Sequence, residues 1–220
     1  MLTRELQSQT LPSLHLYDKV YQALQLMNDN QVTHLPVVDG DKYIGMISED
    51  DLLQADNDTA ALETMQQSFA NYSVNEEEHF LKALQLAAEN GLSVVPVISG
   101  ENILVGTVIY NDLLKYASDF MSLSEPGGLI VLEMENSRYS FNDISKLVET
   151  NDAQITQLNT STDPETGITL VTIRINKPEI SDIVATFQRY EYNVKYFFGE
   201  ELYTNELRSN YDNLMNYLKI

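Results

Sequence analysis

The chain repeats itself at a spacing of 60 residues, and a segment of this length that occurs twice folds as two copies of one supersecondary unit. The first copy, SLHLYDKVYQALQLMNDNQVTHLPVVDGDKYIGMISEDDLL, starts at Ser13, and the second, SVNEEEHFLKALQLAAENGLSVVPVISGENILVGTVIYNDLL, starts at Ser73. ALQL at Ala23 to Leu26 returns at Ala83 to Leu86, and Pro36 returns at Pro96. After one inserted residue, Gly45 and Asp51 return at Gly106 and Asp112. Between Leu11 and Pro36, 7 of 26 positions are identical to their counterparts, and the order of apolar, turn and acidic positions is kept throughout.

Each copy begins with an amphipathic helix. Val20, Ala23, Leu24 and Met27 fall at helical spacing in the first, as do Phe80, Ala83, Leu84 and Ala87 in the second. A β-branched run closed by a turn follows in each, LPVVDGDKYIGMI and VVPVISGENILVGTVI, where Asp39-Gly40 and Ser99-Gly100 are expected to supply the positive φ of a hairpin. DLLQA and DLLKYA then start a second helix. The order helix, strand, strand, helix leaves a small sheet with one apolar face uncovered, and two copies cover it by packing together.

An apolar residue and Pro before Val-Val-Asp, then Gly-apolar-x-Ser/Thr-x-x-Asp, resembles the CBS domain, named for cystathionine β-synthase. LPVVD lies at Leu35 to Asp39, and GMISEDD at Gly45 to Asp51 fits the ribose-phosphate motif completely. The second copy, GTVIYND, keeps Gly106 and Asp112 but has Ile109 where Ser or Thr is expected. The resemblance implies a tandem pair forming one module, with adenine nucleotides held in clefts between the copies. The pair is expected over residues 1–120, with repeats at about 11–56 and 71–118.

The second half opens at SLSEPGG, read as a linker because Pro126-Gly127-Gly128 breaks a preceding helix. LIVLEME is a strand candidate. SFNDISKLVETND begins with a Ser140-x-x-Asp143 cap and puts Phe141, Ile144, Leu147 and Val148 on one side of a helix. AQITQLNTST and GITLVTIRI are joined by the turn Asp163-Pro164-Glu165-Thr166-Gly167. PEISDIVATFQRY is a helix with Pro178 at an N-terminal position, and YNVKYFFGE closes as a strand. The predicted fold class is therefore α/β (α+β): a CBS pair followed by a ferredoxin-like βαββαβ domain at 127–200 and a C-terminal amphipathic helix at 201–220. Its position after a CBS pair resembles an ACT-type regulatory domain, and the whole chain resembles acetoin-utilisation-type CBS proteins. Amino-acid-binding ACT domains usually have Gly in the loop after the first strand, where this chain has Glu135-Asn136-Ser137-Arg138-Tyr139. In the last segment Leu207, Tyr211, Leu214 and Leu218 form a stripe that needs a surface to cover it.

Composition excludes several functions. The 220 residues contain no cysteine, so disulfides and thiol catalysis are absent. No apolar run approaches the ~20 residues of a membrane helix, and MLTRELQSQT lacks the apolar segment of a signal peptide, so a cytoplasmic location is expected. Thirteen basic against 33 acidic residues give a net charge of -20, with 5 basic and 17 acidic in residues 1–118. Neither half suits DNA, RNA or anionic lipid. Three dispersed histidines, no Gly-rich phosphate loop and no metal-ligand spacing give catalysis nothing to assemble.

The candidate ligand-binding residues are Thr33, His34, Ser48, Asp51 and Asp112. Asp51 is placed to accept hydrogen bonds from ribose hydroxyls and Ser48 to donate to phosphate. Ser-x-x-Asp at a helix start is equally a capping box. Asp112 lacks the Ser partner and reads as capping or solvated. His34 precedes Leu35-Pro36, where relatives often place a group facing phosphate; its ring titrates near neutrality, and a structural role beside the strand is the alternative. Glu76-Glu77-Glu78 with Asp50, Asp56 and Asp58 has the chemistry for a divalent cation, but Asn75-x-x-Glu78 also caps a helix. The expected function is non-enzymatic regulation: a homodimer whose CBS pair binds AMP, adenosine or S-adenosylmethionine and thereby shifts the arrangement of the ACT-like domains. The few basic residues disfavour ATP. The alternatives are a ligand-free dimerisation or docking scaffold, and a cation-responsive module.

Overall fold

The computed structural model describes residues 1–6 and 11–199. The chain parts between Ser118 and Asp119 into two compact units.

The first unit is the duplicated one. β1 (Leu14–His15), α1 (Val20–Asn30), β2 (His34–Asp39), β3 (Lys42–Ser48) and α2 (Glu49–Leu53) form the first repeat. β4 (Val74–Asn75), α3 (Phe80–Asn90), β5 (Val94–Ile98), β6 (Leu104–Ile109) and α4 (Tyr110–Phe120) form the second. Each makes a three-stranded sheet, β1-β2-β3 or β4-β5-β6, with the short first strand parallel and the hairpin antiparallel. α1 buries Val20, Ala23 and Met27, and α3 buries Phe80, Ala83 and Ala87, the stripes seen in the sequence. Val94 of the second repeat lies in the first repeat's core with Leu14, Leu35 and Ile47. The two copies thus share apolar interior, as the uncovered sheet faces required.

Several local features differ from the sequence reading. The first hairpin has its positive φ at Gly40, but in the second it sits at Asn102 rather than Gly100, because the inserted residue lengthens that turn. Asn102 is held there by the other hairpin: its carbonyl accepts from Tyr43 N–H at 2.9 Å, and its side-chain amide donates to Tyr43 O at 2.8 Å. Asn75 and Glu78 close the turn before α3, with Asn75 N–H donating to Glu78 Oε2 at 2.8 Å, while His79 is the N-cap. A 3-10 segment at Leu62–Ser68 connects the repeats and buries Leu62. After it, Ala70 pairs with Met46 through both backbone bonds, at 2.8 and 2.9 Å. Gly45 permits this approach, since a Cβ there would lie 2.9 Å from Phe69 Cβ.

The second unit contains β7 (Gly128–Glu135), α5 (Phe141–Glu149), β8 (Ile155–Thr162), β9 (Ile168–Ile175), α6 (Ser181–Arg189) and β10 (Asn193–Phe198). The sheet order is β10-β7-β9-β8, with every neighbour antiparallel. The element order βαββαβ is as the sequence suggests. Ile130 and Leu132 of β7 and Val171, Ile173 and Ile175 of β9 meet Ile144 and Val148 of α5 and Phe187 of α6 in one core. Ser140 caps α5, accepting from Asp143 N–H at 3.3 Å. Pro178 lies in the loop before α6, whose N-cap is Ile180, and not in its first turn. Gly127 and Gly128 mark close packing rather than a slack linker. A Cβ on Gly128, which opens β7, would lie 2.3 Å from Ile180 Cγ2, and one on Gly127 would lie 2.3 Å from Ile175 O. The apolar stripe of Leu207, Tyr211, Leu214 and Leu218 falls outside the described residues.

Candidate ligand-binding site

Ser48 ends β3 and caps α2. Its hydroxyl accepts from Asp51 N–H at 3.1 Å and donates to Asp51 Oδ2, while Ser48 N–H donates to the same oxygen at 3.3 Å. The capping box is therefore formed, with both side chains half-buried. Glu49 N–H donates to Thr33 O at 2.8 Å, which ties the start of α2 to the start of β2. Thr33, His34, Ser48 and Asp51 are in this way brought to one corner of the first repeat.

The other side of that corner belongs to the second repeat. Thr33 N–H donates to Ser93 Oγ at 3.0 Å, and Ser93 N–H donates to His34 Nδ1 at 3.3 Å. Nδ1 also lies 3.2 Å from Ser93 Oγ and 3.0 Å from Thr33 Oγ1. Accepting from that backbone N–H requires an unprotonated Nδ1, the tautomer that carries its hydrogen on Nε2. Burial holds the His34 pKa below its usual value, while the carboxylates of Asp51 and then Asp50 act in the opposite direction. Ser93 is a member of the site that the sequence reading missed. Its signal was present, because Ser93 aligns with Thr33 at the 60-residue spacing.

Asp112 has a different partner. Tyr110 N–H donates to Ser93 O at 2.9 Å, the counterpart of the Glu49–Thr33 bond, so the backbone scaffold is repeated. The chemistry is not. Ile109 occupies the position of Ser48, and the Asp112 carboxylate pairs with Lys115 Nζ at 2.7 Å. That bond raises the lysine pKa. Of the acidic run, Glu77 pairs with Arg4 and Glu78 accepts from Asn75 N–H. Among the described residues no three His, Asp or Glu side chains are grouped to hold a metal ion.

Two surface cavities lie among the described residues of the second unit. One, of about 350 Å³, is lined by Glu133, Ser161, Asp163, Thr166 and Lys195, with Glu133 and Lys195 paired at 2.6 Å. The other, of about 470 Å³, lies between Asp143, Lys146 and Thr150 of the α5 region and Tyr190 and Tyr192 after α6. Neither contains a residue singled out in the sequence as a ligand contact.

Two copies of the CBS domain match residues 4–58 and 62–119, just over half of the chain. The chain belongs to the CBS domain family. Among curated proteins it is similar to inosine-5'-monophosphate dehydrogenase of Methanocaldococcus jannaschii, with 27% identity over 136 residues, or 60% of this chain. The chain spans 27% of that enzyme's length. Among solved structures it is similar to a CBS domain pair/ACT domain protein from Thermotoga maritima, at 23% identity and a TM-score of 0.49, covering 54% of this chain and 98% of that one. It is also similar to a protein provisionally assigned to acetoin utilization from Vibrio cholerae, at 20% identity and a TM-score of 0.47, covering 56% and 95%. Among the described residues no helix is long and apolar enough to cross a membrane.

Proposed function

We propose that the tandem CBS unit is a regulatory module that binds one adenosine-containing ligand at the corner formed by Thr33, His34, Ser48 and Asp51. The observation that carries this reading is the difference between the two repeats. Only the first places a serine, an aspartate without an ion-pair partner among the described residues, and a titratable ring together. In the second, Asp112 is paired with Lys115 at the surface, and the Ile109 side chain offers no hydrogen bond. Asp51 takes the ribose hydroxyls and Ser48 the phosphate, if the ligand has one. Few basic residues lie in this unit, so AMP, adenosine and S-adenosylmethionine fit its charge better than ATP.

The protein acts as a homodimer whose conformation ligand occupancy biases, through different affinities for two states. Matching positions of the two repeats expose apolar side chains: Tyr21 and Leu81 on the first helices, Leu53 and Leu114 on the second. Apolar groups kept exposed at corresponding places in both copies fit a surface that a second chain covers. This observation also favours the second reading, a ligand-free dimerisation scaffold. The second unit is taken as an ACT-like regulatory domain on its element order alone, and the whole as non-enzymatic.

A thermal-shift screen with AMP, adenosine and S-adenosylmethionine at millimolar concentration separates the readings. At about 100 times its dissociation constant a ligand adds about 2.7 kcal/mol, a rise of roughly 5–10 °C for this length. No shift with any of the three leaves the scaffold reading in place.

A further inference from the structure

His34 is the one titratable base in the proposed site, and it does two things at once. Its Nδ1 is the acceptor through which the first repeat holds Ser93 of the second, across 59 residues of sequence. The charged groups facing the ring are both acidic, Asp51 and Asp50 of α2. From the second repeat the same corner receives Ser93 and the start of α4, where Tyr110 N–H is bound to Ser93 O and Asp112, on that helix, is paired with Lys115. The ion pairs among the described residues are Arg4–Glu77, Lys115–Asp112 and Lys195–Glu133, so none supplies a cation to Asp50, Asp51 or His34. With His34 neutral, a phosphate placed here meets two carboxylates, and none of the ion pairs among the described residues brings a cation to it.

We propose that His34 sets the charge of the ligand accepted at this site: neutral, it admits uncharged or cationic adenosyl ligands, and protonated, it admits a phosphate-bearing one. The inference rests on the ligand reading above and adds the group that discriminates within that class. The incoming proton has one place to go, because Nε2 already carries hydrogen; it binds Nδ1. There it displaces the Ser93 N–H and turns the ring from acceptor to donor. Ser93 Oγ at 3.2 Å and Thr33 Oγ1 at 3.0 Å are both placed to accept the new N–H. Charging His34 therefore exchanges one contact between the repeats for another. Phosphate binding, proton uptake and the Ser93 contact form one linked equilibrium, which gives the module a direct path from ligand charge to the joint between its halves.

The test measures affinities of AMP and adenosine for the full chain by calorimetry at pH 6, 7 and 8, on the wild type and on His34→Gln. Glutamine keeps an amide that can accept from Ser93 N–H but cannot titrate. AMP should tighten relative to adenosine as pH falls, approaching about tenfold per pH unit where one proton is fully taken up, and the variant should lose most of this dependence. The AMP phosphate titrates near pH 6 by itself, so the difference between wild type and variant is decisive. If both ligands bind and their ratio follows pH equally in the two proteins, the inference is wrong and the ligand reading stands. If neither ligand binds the wild type, the inference is wrong, and the ligand reading rests on S-adenosylmethionine alone. Should the variant not fold, NMR titration of the His34 ring in the wild type decides: AMP must raise its pKa while adenosine does not, and equal values overturn the proposal.

Discussion

Ser48 has a structural role in the free protein, and Ser48→Ala measures whether it has another. The substitution removes the acceptor for Asp51 N–H and the donor to Asp51 Oδ2, leaving the first turn of a five-residue helix uncapped. Losing such a cap costs about 1 kcal/mol, or a fall of about 4 °C for a unit of this size. Leu52, fully buried, keeps α2 anchored, so the damage stays local. The functional role predicts a second loss that appears only with ligand. A hydroxyl donating to phosphate contributes about 1.4 kcal/mol, a tenfold change in affinity. AMP present at about 100 times the wild-type dissociation constant is then at about 10 times the variant's, and its stabilisation drops from about 2.7 to about 1.4 kcal/mol. Adenosine, without phosphate, should lose little. Differential scanning fluorimetry of both proteins with and without each ligand gives all the terms. If the variant melts lower but its AMP shift equals that of the wild type, Ser48 is a cap only.

Gly128→Ala should destabilise the second unit by about 1–3 kcal/mol, because the added Cβ meets the buried Ile180 at 2.3 Å; unchanged denaturant unfolding would contradict the close packing. His34 has a depressed pKa in the folded chain, so its contribution to stability is complete above the unfolded value of about 6.5 and is lost as pH falls below it. Unfolding midpoints between pH 7.5 and 5.5 should thus fall more steeply for the wild type than for His34→Gln, and parallel curves would show that the ring does not titrate in this way. Light scattering after gel filtration should give twice the 25.0 kDa of one chain at micromolar concentration, and a value of one chain would remove the dimer.

The duplicated fold was legible because burial leaves a periodic trace: Val20, Ala23 and Met27 return as Phe80, Ala83 and Ala87, and all six are buried. The ferredoxin-like element order was legible for the same reason, with β9 alternating strictly between half-buried and buried positions. What the sequence hid were relations between distant segments. Nothing local to Ser93 shows that its hydroxyl and N–H face His34, since that pairing arises only when the repeats pack. Asn102, and not Gly100, is the left-handed residue, and the neighbouring hairpin that binds its carbonyl and its side chain lies 59 residues away in sequence. Gly127 and Gly128 looked like a flexible joint, and only the position of Ile175 and Ile180 reveals them as points of contact.

The most direct measurement is a titration of the ¹⁵N-labelled chain with adenosine and with AMP, followed amide by amide. Ligand held at the proposed corner predicts saturable shifts concentrated at Thr33, His34, Ser48 to Asp51 and Ser93, with the Asp112 and Lys115 amides moving little, and with the Ser93 amide moving more for AMP than for adenosine. Shifts confined to the second unit, or centred on Asp112, or absent at millimolar ligand, would contradict a single adenosyl site in the first repeat.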